Sequence, residues 1–120
     1  MKTSNDPRHT KRIHLMQELF SWNFIKKKAP KNIAEIVDRL TRIDKIIGKC
    51  AKDRPLNQIN KIDLAILRLA VFELIIKKGV PPKVVIDEAV ELGKEFGSDS
   101  SGSFINGTLG QVVKVRRITI

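Results

Sequence analysis

From Leu64 to Ile76 the chain is apolar on nearly every side, broken only by Arg68 and Glu73. A helix of that kind has no face to give to water, so other elements must surround it. The run predicts a central buried helix, here spanning Asn60 to Ile76. It is too short and too charged to cross a bilayer. Asn60 stands where a cap belongs, because its side-chain oxygen can accept from the free amides of a first turn. Asp63 sits where a capping-box acid reaches back, and Ile59 and Leu64 are spaced to clamp the helix entry. Lys77-Lys78-Gly79 closes the helix, with glycine at the left-handed cap. Arg68 and Glu73 become interior charges, and each needs a partner or a route to solvent.

The remaining sequence reads as four more helices, with no alternation of strand type. The first opens at Asp6-Pro7, a good cap followed by a residue that suits the first helical position. Ile13, Met16, Phe20 and Phe24 mark its buried stripe, Arg8, Lys11 and Arg12 share one face, and Lys26 to Lys28 end it before Ala29-Pro30. The second, Asn32 to Ala51, carries Ile33, Ile36, Val37, Leu40, Ile43 and Ile47. Another opens at Pro81-Pro82 and ends at Gly97. Its core positions are Val85, Ala89, Leu92 and Phe96, with Asp87, Glu88, Glu91 and Glu95 facing outward or sideways. The last is capped by Ser100 or Ser101 and carries Phe104, Ile105, Leu109, Val112 and Val113. Gly107 and Gly110 lower its helix propensity and allow either close approach of a neighbour or flexibility. Residues 115–120 stay unassigned. The expected fold class is all-α, a compact bundle of five to six helices forming a single domain over 1–120, a length that suits one core.

The net charge is +10, and it is uneven. Residues 1–28 carry seven Lys and Arg against Asp6 and Glu18, whereas residues 61–97 are neutral. That asymmetry favours a polyanionic partner such as nucleic acid. A generally basic, solvated surface is the competing reading. One cysteine rules out an intrachain disulfide and a Cys-based zinc site, which suits a reducing cytoplasm. The N-terminus has no apolar stretch of secretory type.

Chemistry-bearing patterns are missing. His9 and His14 are five apart and diverge in angle on a helix, so they do not form a chelating i, i+4 pair. There is no Gly-rich phosphate loop. Cys50 falls on a core stripe and reads as a buried apolar residue. The acids around Asp87 read as a solvated face, with Lys83 four residues away as support. The expectation is a protein that is not an enzyme, with no cofactor, no metal, no membrane contact and no small-molecule substrate.

Two blocks carry a family resemblance. One runs from Arg54-Pro-Leu through Ile62-Asp, Ala65-Ile-Leu-Arg-Leu-Ala-Val-Phe-Glu-Leu, Val80-Pro, Val85-Ile-Asp-Glu-Ala-Val-Glu-Leu and Phe96-Gly-Ser to Phe104-Ile-Asn-Gly-Thr-Leu. The other is the first helix, with Arg8, Arg12 and Gln17-Glu-Leu-Phe-Ser-Trp22. In order and spacing they resemble the NusB family of transcription antitermination factors. The resemblance implies an all-helical, non-catalytic protein that binds boxA-like single-stranded RNA together with the ribosomal protein NusE, within the RNA polymerase antitermination complex. Carried over by position, it makes Arg8, His9, Lys11 and Arg12 RNA-facing, with Phe104 beside them and Arg54 and Lys83 from adjoining turns. Phe20, Asp63, Ser100 and Ser101 match positions near the NusE surface. The chain departs from the pattern in being about one helix shorter between Trp22 and Arg54. It also has Ser100 where an acid is common, and Gly102-Ser103 in place of a basic pair. Two other readings remain open at this point. One is a stand-alone RNA-binding module of the kind found at the N-terminus of some RNA cytosine methyltransferases, and the other is a protein–protein adaptor.

Overall fold

Every residue from Asp63 to Ile75 is buried, and the helices of the molecule are arranged around that segment. The computed structural model describes residues 6–120. The five N-terminal residues of the expected domain, with Lys2, lie outside the described residues.

The elements in chain order are α1 (Pro7–Ile25), α2 (Ala34–Asp38) after a 3-10 turn at Lys31–Ile33, α3 (Leu40–Cys50), α4 (Lys61–Val71), α5 (Pro82–Phe96) and α6 (Ser101–Val115). No strand occurs among the described residues. The fold is all-helical, as expected, and helices α1, α3, α5 and α6 pack directly on α4.

Helix α4 starts as its sequence predicts. The side-chain oxygen of Asn60 accepts from the amides of Ile62 at 2.8 Å and Asp63 at 3.4 Å. Past Val71 the backbone winds wider, as a π-helical segment over Phe72–Lys77, and closes with the Lys78 amide donating to the Glu73 carbonyl at 2.9 Å. Such wide turns are uncommon and are often found at functional sites. Here the segment buries Phe72, Glu73, Leu74 and Ile75 in succession. Lys78 and Gly79 then take positive φ values of 56° and 93°, so the left-handed exit expected at Gly79 begins one residue earlier.

The expected second helix is two. Arg39 breaks it, with φ −104° and ψ 11° and a short-range bond from its amide to the Ile36 carbonyl. The kink aims Ile33 and Ile36 on one side of the break, and Ile43, Ile46, Ile47 and Cys50 on the other, at the same core. A straight helix over this span could not bury both sets against one neighbour, so tertiary packing overrides local continuity.

Close approach between helices occurs at a different glycine than expected. Gly107 and Gly110 have open space where a Cβ would sit. Gly93 of α5 does not: a Cβ there would stand 2.7 Å from Ile105 Cδ1 and 3.4 Å from the Ser101 backbone. The α5–α6 packing therefore rests on the missing side chain of Gly93. Phe96, expected in the core, is 37% exposed at the end of α5.

Candidate nucleic-acid interface

Helix α1 is capped by Asp6, whose carboxylate accepts from the Arg8 amide at 2.9 Å, with Pro7 in the first turn. The same amide holds the Asp6 carboxyl below its ordinary range. The helix is rotated from the expected orientation. Its inward stripe is His9, Arg12, Met16, Leu19 and Asn23, while Phe24 is 63% exposed and Ile13 and Phe20 are half-buried. Directed polar bonds to the core helices set this orientation. The Arg12 guanidinium grips both oxygens of Glu73, at 2.9 and 2.7 Å, and lies 3.6 Å from Glu88. His9 Nδ1 is 3.1 Å from Glu88 and its Nε2 is 2.6 Å from Glu95. At the far end, Asn23 accepts from Arg68, which also makes two 2.9 Å bonds to Asp44 of α3.

This seam corrects three expectations. His9 is buried between two carboxylates of α5 and is not a surface group, so its ring has no free edge to offer an RNA. A neutral imidazole donates from only one nitrogen, yet both nitrogens here face carboxylate acceptors, so the imidazolium satisfies the site. Burial pulls the His9 pKa down, but the bonds to Glu88 and Glu95 and their charges outweigh it and leave it raised. Arg12 is mostly enclosed, and its charge is already answered by Glu73, so it does not share the open face of Arg8 and Lys11. Glu88, expected outward or sideways, faces inward for the same reason.

Arg8 and Lys11 do reach solvent. They line one side of a groove of about 570 Å³ between α1, the approach to α2 and the π-helical segment. His14 and Lys77 join them, and the acids Glu18, Glu35 and Glu73 line the groove too. Lys77 carried no signal in the sequence because it is remote from α1 in the chain. Arg8 is loosely paired with Asp6 at 3.5 Å, with its side chain 86% exposed, an arrangement that holds it weakly.

Arg54 and Phe104 come from distant parts of the chain and meet. The guanidinium carbon of Arg54, in the turn after α3, lies 4.0 Å from the ring centroid of half-buried Phe104 on α6. A guanidinium over an aromatic face is held by the ring's quadrupole. Lys83 stands exposed on the first turn of α5, 3.4 Å from Asp87, the i, i+4 pair expected from the spacing.

The four partner-surface candidates divide. Phe20 is half-buried and meets Phe24 edge to face at 5.1 Å. Ser100 is exposed and opens α6, but its side chain makes no cap bond. Asp63 is buried, and its Oδ1 has no hydrogen-bond partner among the described residues. It does not reach back to the Asn60 amide, so only the Asn60 half of the capping box is made. Ser101 is fully buried, and its hydroxyl accepts from the Ser98 amide at 2.9 Å, closing the preceding turn instead of capping the helix. Neither Asp63 nor Ser101 presents a side chain to a partner in this arrangement. Cys50 is buried as expected, and burial pushes its thiol pKa up.

The family model described as the NusB family matches residues 25–114, which takes in α2 to α5 whole and α6 up to its last residue but one. This chain belongs to the NusB family. The transcription antitermination protein NusB of Acetivibrio thermocellus is 53% identical over 74 residues, covering 62% of this chain and 51% of that protein. The NusB of Thermotoga maritima is 38% identical over 89 residues, 74% of this chain and 63% of its own length. The chain thus spans about half to two thirds of these NusB relatives. In three dimensions the likeness runs further. A solved structure of T. maritima NusB superposes with a TM-score of 0.78 at 31% identity, over 95% of this chain and 93% of that one. A chain from a crystal structure described as a plectonemic RNA supercoil has a TM-score of 0.79 at 24% identity and shares the NusB fold. Arg54, Lys83, Phe104, Asp63, Ser100 and Ser101 lie inside the residues matched by the NusB model, and Arg8 to Arg12 lie outside them. No helix among the described residues is long and apolar enough to cross a membrane.

Proposed function

We propose that this protein is a transcription antitermination factor that binds boxA-like single-stranded RNA together with the ribosomal protein NusE, as part of the RNA polymerase antitermination complex and without catalysis. Family membership supports the transcriptional role. The observation that carries the RNA half is the Arg54–Phe104 stack, a cation and an aromatic ring held against each other at the surface. Bases stack on exposed aromatic and guanidinium planes, and backbone phosphates are met by cations. Arg8 and Lys11 supply such cations at the start of α1, and Lys83 another on α5.

The experiment is a titration of a boxA-like single strand by fluorescence anisotropy across a salt series, with and without NusE. Phe104→Ala is expected to cost about 1–3 kcal/mol of RNA affinity, the worth of one base–aromatic stack. Arg8→Ala/Lys11→Ala is expected to lower the salt slope by roughly 0.7 log units for each phosphate that is no longer neutralised. Full affinity in a folded Phe104→Ala protein would remove the stacking surface from the RNA site.

A second reading is favoured by one observation. Asp63 and Ser101, two of the four candidates for the NusE surface, are buried. That supports an RNA-binding module that works without this partner. Phe20 and Ser100 remain for a NusE contact. A Ser100→Arg change that leaves NusE binding intact in a folded protein would decide for the partner-independent module.

A further inference from the structure

Helix α3 carries Arg42, Lys45 and Lys49 at i, i+3 and i+7, all exposed along one face. Arg116, the residue that caps α6, comes up beside that row. Together they rim a groove of about 240 Å³ floored by Ile46, Cys50 and Val115. Among the described residues no carboxylate lines it. None of the four cations is in an ion pair among the described residues. Asp44, the acid that α3 carries, is turned away to Arg68. Burial keeps the Cys50 thiol protonated, so no thiolate offsets the cations.

Helix-end electrostatics account for only part of this cluster. Lys49 lies in the last turn of α3 and Arg116 at the end of α6, where cations answer the negative ends of the macrodipoles. Each end amounts to about half a charge, and the effect fades within one turn. Arg42 and Lys45 lie further back. Like charges at helical spacing repel, so a row of them stands at a cost that an anionic ligand would relieve. Among the described residues no aromatic side chain lines the groove to stack a base.

We propose that this groove between α3 and the end of α6 grips successive phosphates of an RNA strand, as a sequence-blind contact separate from the Arg8–Lys11 and Arg54–Phe104 positions. The proposal rests on the reading that the protein binds RNA. It adds a place where the strand is held by charge alone, since phosphate contacts position a strand while base contacts specify it.

The test uses the full chain, a long single-stranded RNA carrying a boxA-like element, and a second RNA of equal length with that element scrambled. Arg42→Ala/Lys45→Ala/Lys49→Ala is expected to lower the slope of log affinity against log salt by about 2, at roughly 0.7 per phosphate, and equally on both RNAs. Arg116→Ala alone should lower it by about 0.7. The charge-keeping Arg42→Lys/Lys45→Arg/Lys49→Arg protein should keep the slope, which separates charge from packing. An unchanged slope in the folded triple-alanine protein overturns the proposal. If Arg8→Ala/Lys11→Ala still lowers the slope in that case, RNA binding itself stands and only the groove falls. No RNA binding by the wild-type chain overturns both. A loss confined to the boxA-like strand overturns the sequence-blind assignment. Capture of a polyglutamate peptide through these residues, with the RNA slope unchanged, gives the groove to an acidic protein segment and overturns the RNA assignment.

Discussion

Along α1, His9 lies buried and Arg12 mostly enclosed against Glu73, Glu88 and Glu95, whereas along α3, Arg42, Lys45 and Lys49 stand in solvent with no acid paired to them among the described residues. The two rows look alike as strings of basic residues, but folding assigns them opposite work. On α1 the charges are directed bonds that orient a helix on the core. On α3 they are a positive field with no acid paired to it among the described residues. The densest basic stretch of a chain is therefore not automatically its ligand face. What decides is where the acids of other helices come to lie, and here the acids of α5 and the π-helical segment come to α1.

The sharpest way to break this contrast is Glu73→Ala. It strands the Arg12 guanidinium, whose side chain is 11% exposed, and should cost about 3–5 kcal/mol in urea unfolding. The nearby Glu88 pulls the value toward the lower end. Replacing the pair together, Arg12→Met/Glu73→Leu, should cost far less, since an apolar pair of similar volume often substitutes for a buried ion pair. A loss under about 1 kcal/mol for Glu73→Ala would mean that the seam does not hold α1, because surface-like changes fall in that range.

His9→Gln comes next, at roughly 1.5–3 kcal/mol for hydrogen bonds to charged groups. Its signature is in pH. The folded-state pKa of His9 is raised, so its contribution is fully present below the ordinary imidazole value of 6.5 and is lost as pH rises through the folded value. Thermal melts of the wild type should therefore weaken on going alkaline from 6.5, and those of His9→Gln should weaken less. Parallel curves for the two proteins would show that the imidazole is not held charged.

The smallest effect is expected on the other side of the comparison. Arg42→Ala should change stability by no more than about 0.5 kcal/mol, as surface substitutions usually do. A large loss would place Arg42 in a structural role and make the two rows alike after all.

Much of the fold was legible from local signals. Asn60, Asp6-Pro7, Pro81-Pro82 and the Lys-Lys-Gly exit each mark a helix end through their own backbone chemistry, and each end lies within a few residues of its expected place. The uninterrupted apolar run announced the buried α4 because no other environment suits it. Arg54 and Phe104 were reached only through family resemblance, and no periodicity could have shown that they touch. The i, i+3, i+7 spacing of Arg42, Lys45 and Lys49 is present in the chain, but nothing local says whether such a row is answered by acids elsewhere.

Capping groups and apolar spacing act over a few residues, so local chemistry settles which segments are helical, where most of them begin and end, and which one lies at the centre. Tertiary structure alone decided the break at Arg39, the rotation of α1 that exposes Phe24 and buries His9, the close approach at Gly93, and the burial of Asp63 and Ser101. Each of these depends on a partner remote in the chain, and a buried charge or a kinked backbone finds its lowest free energy only when that partner is in place.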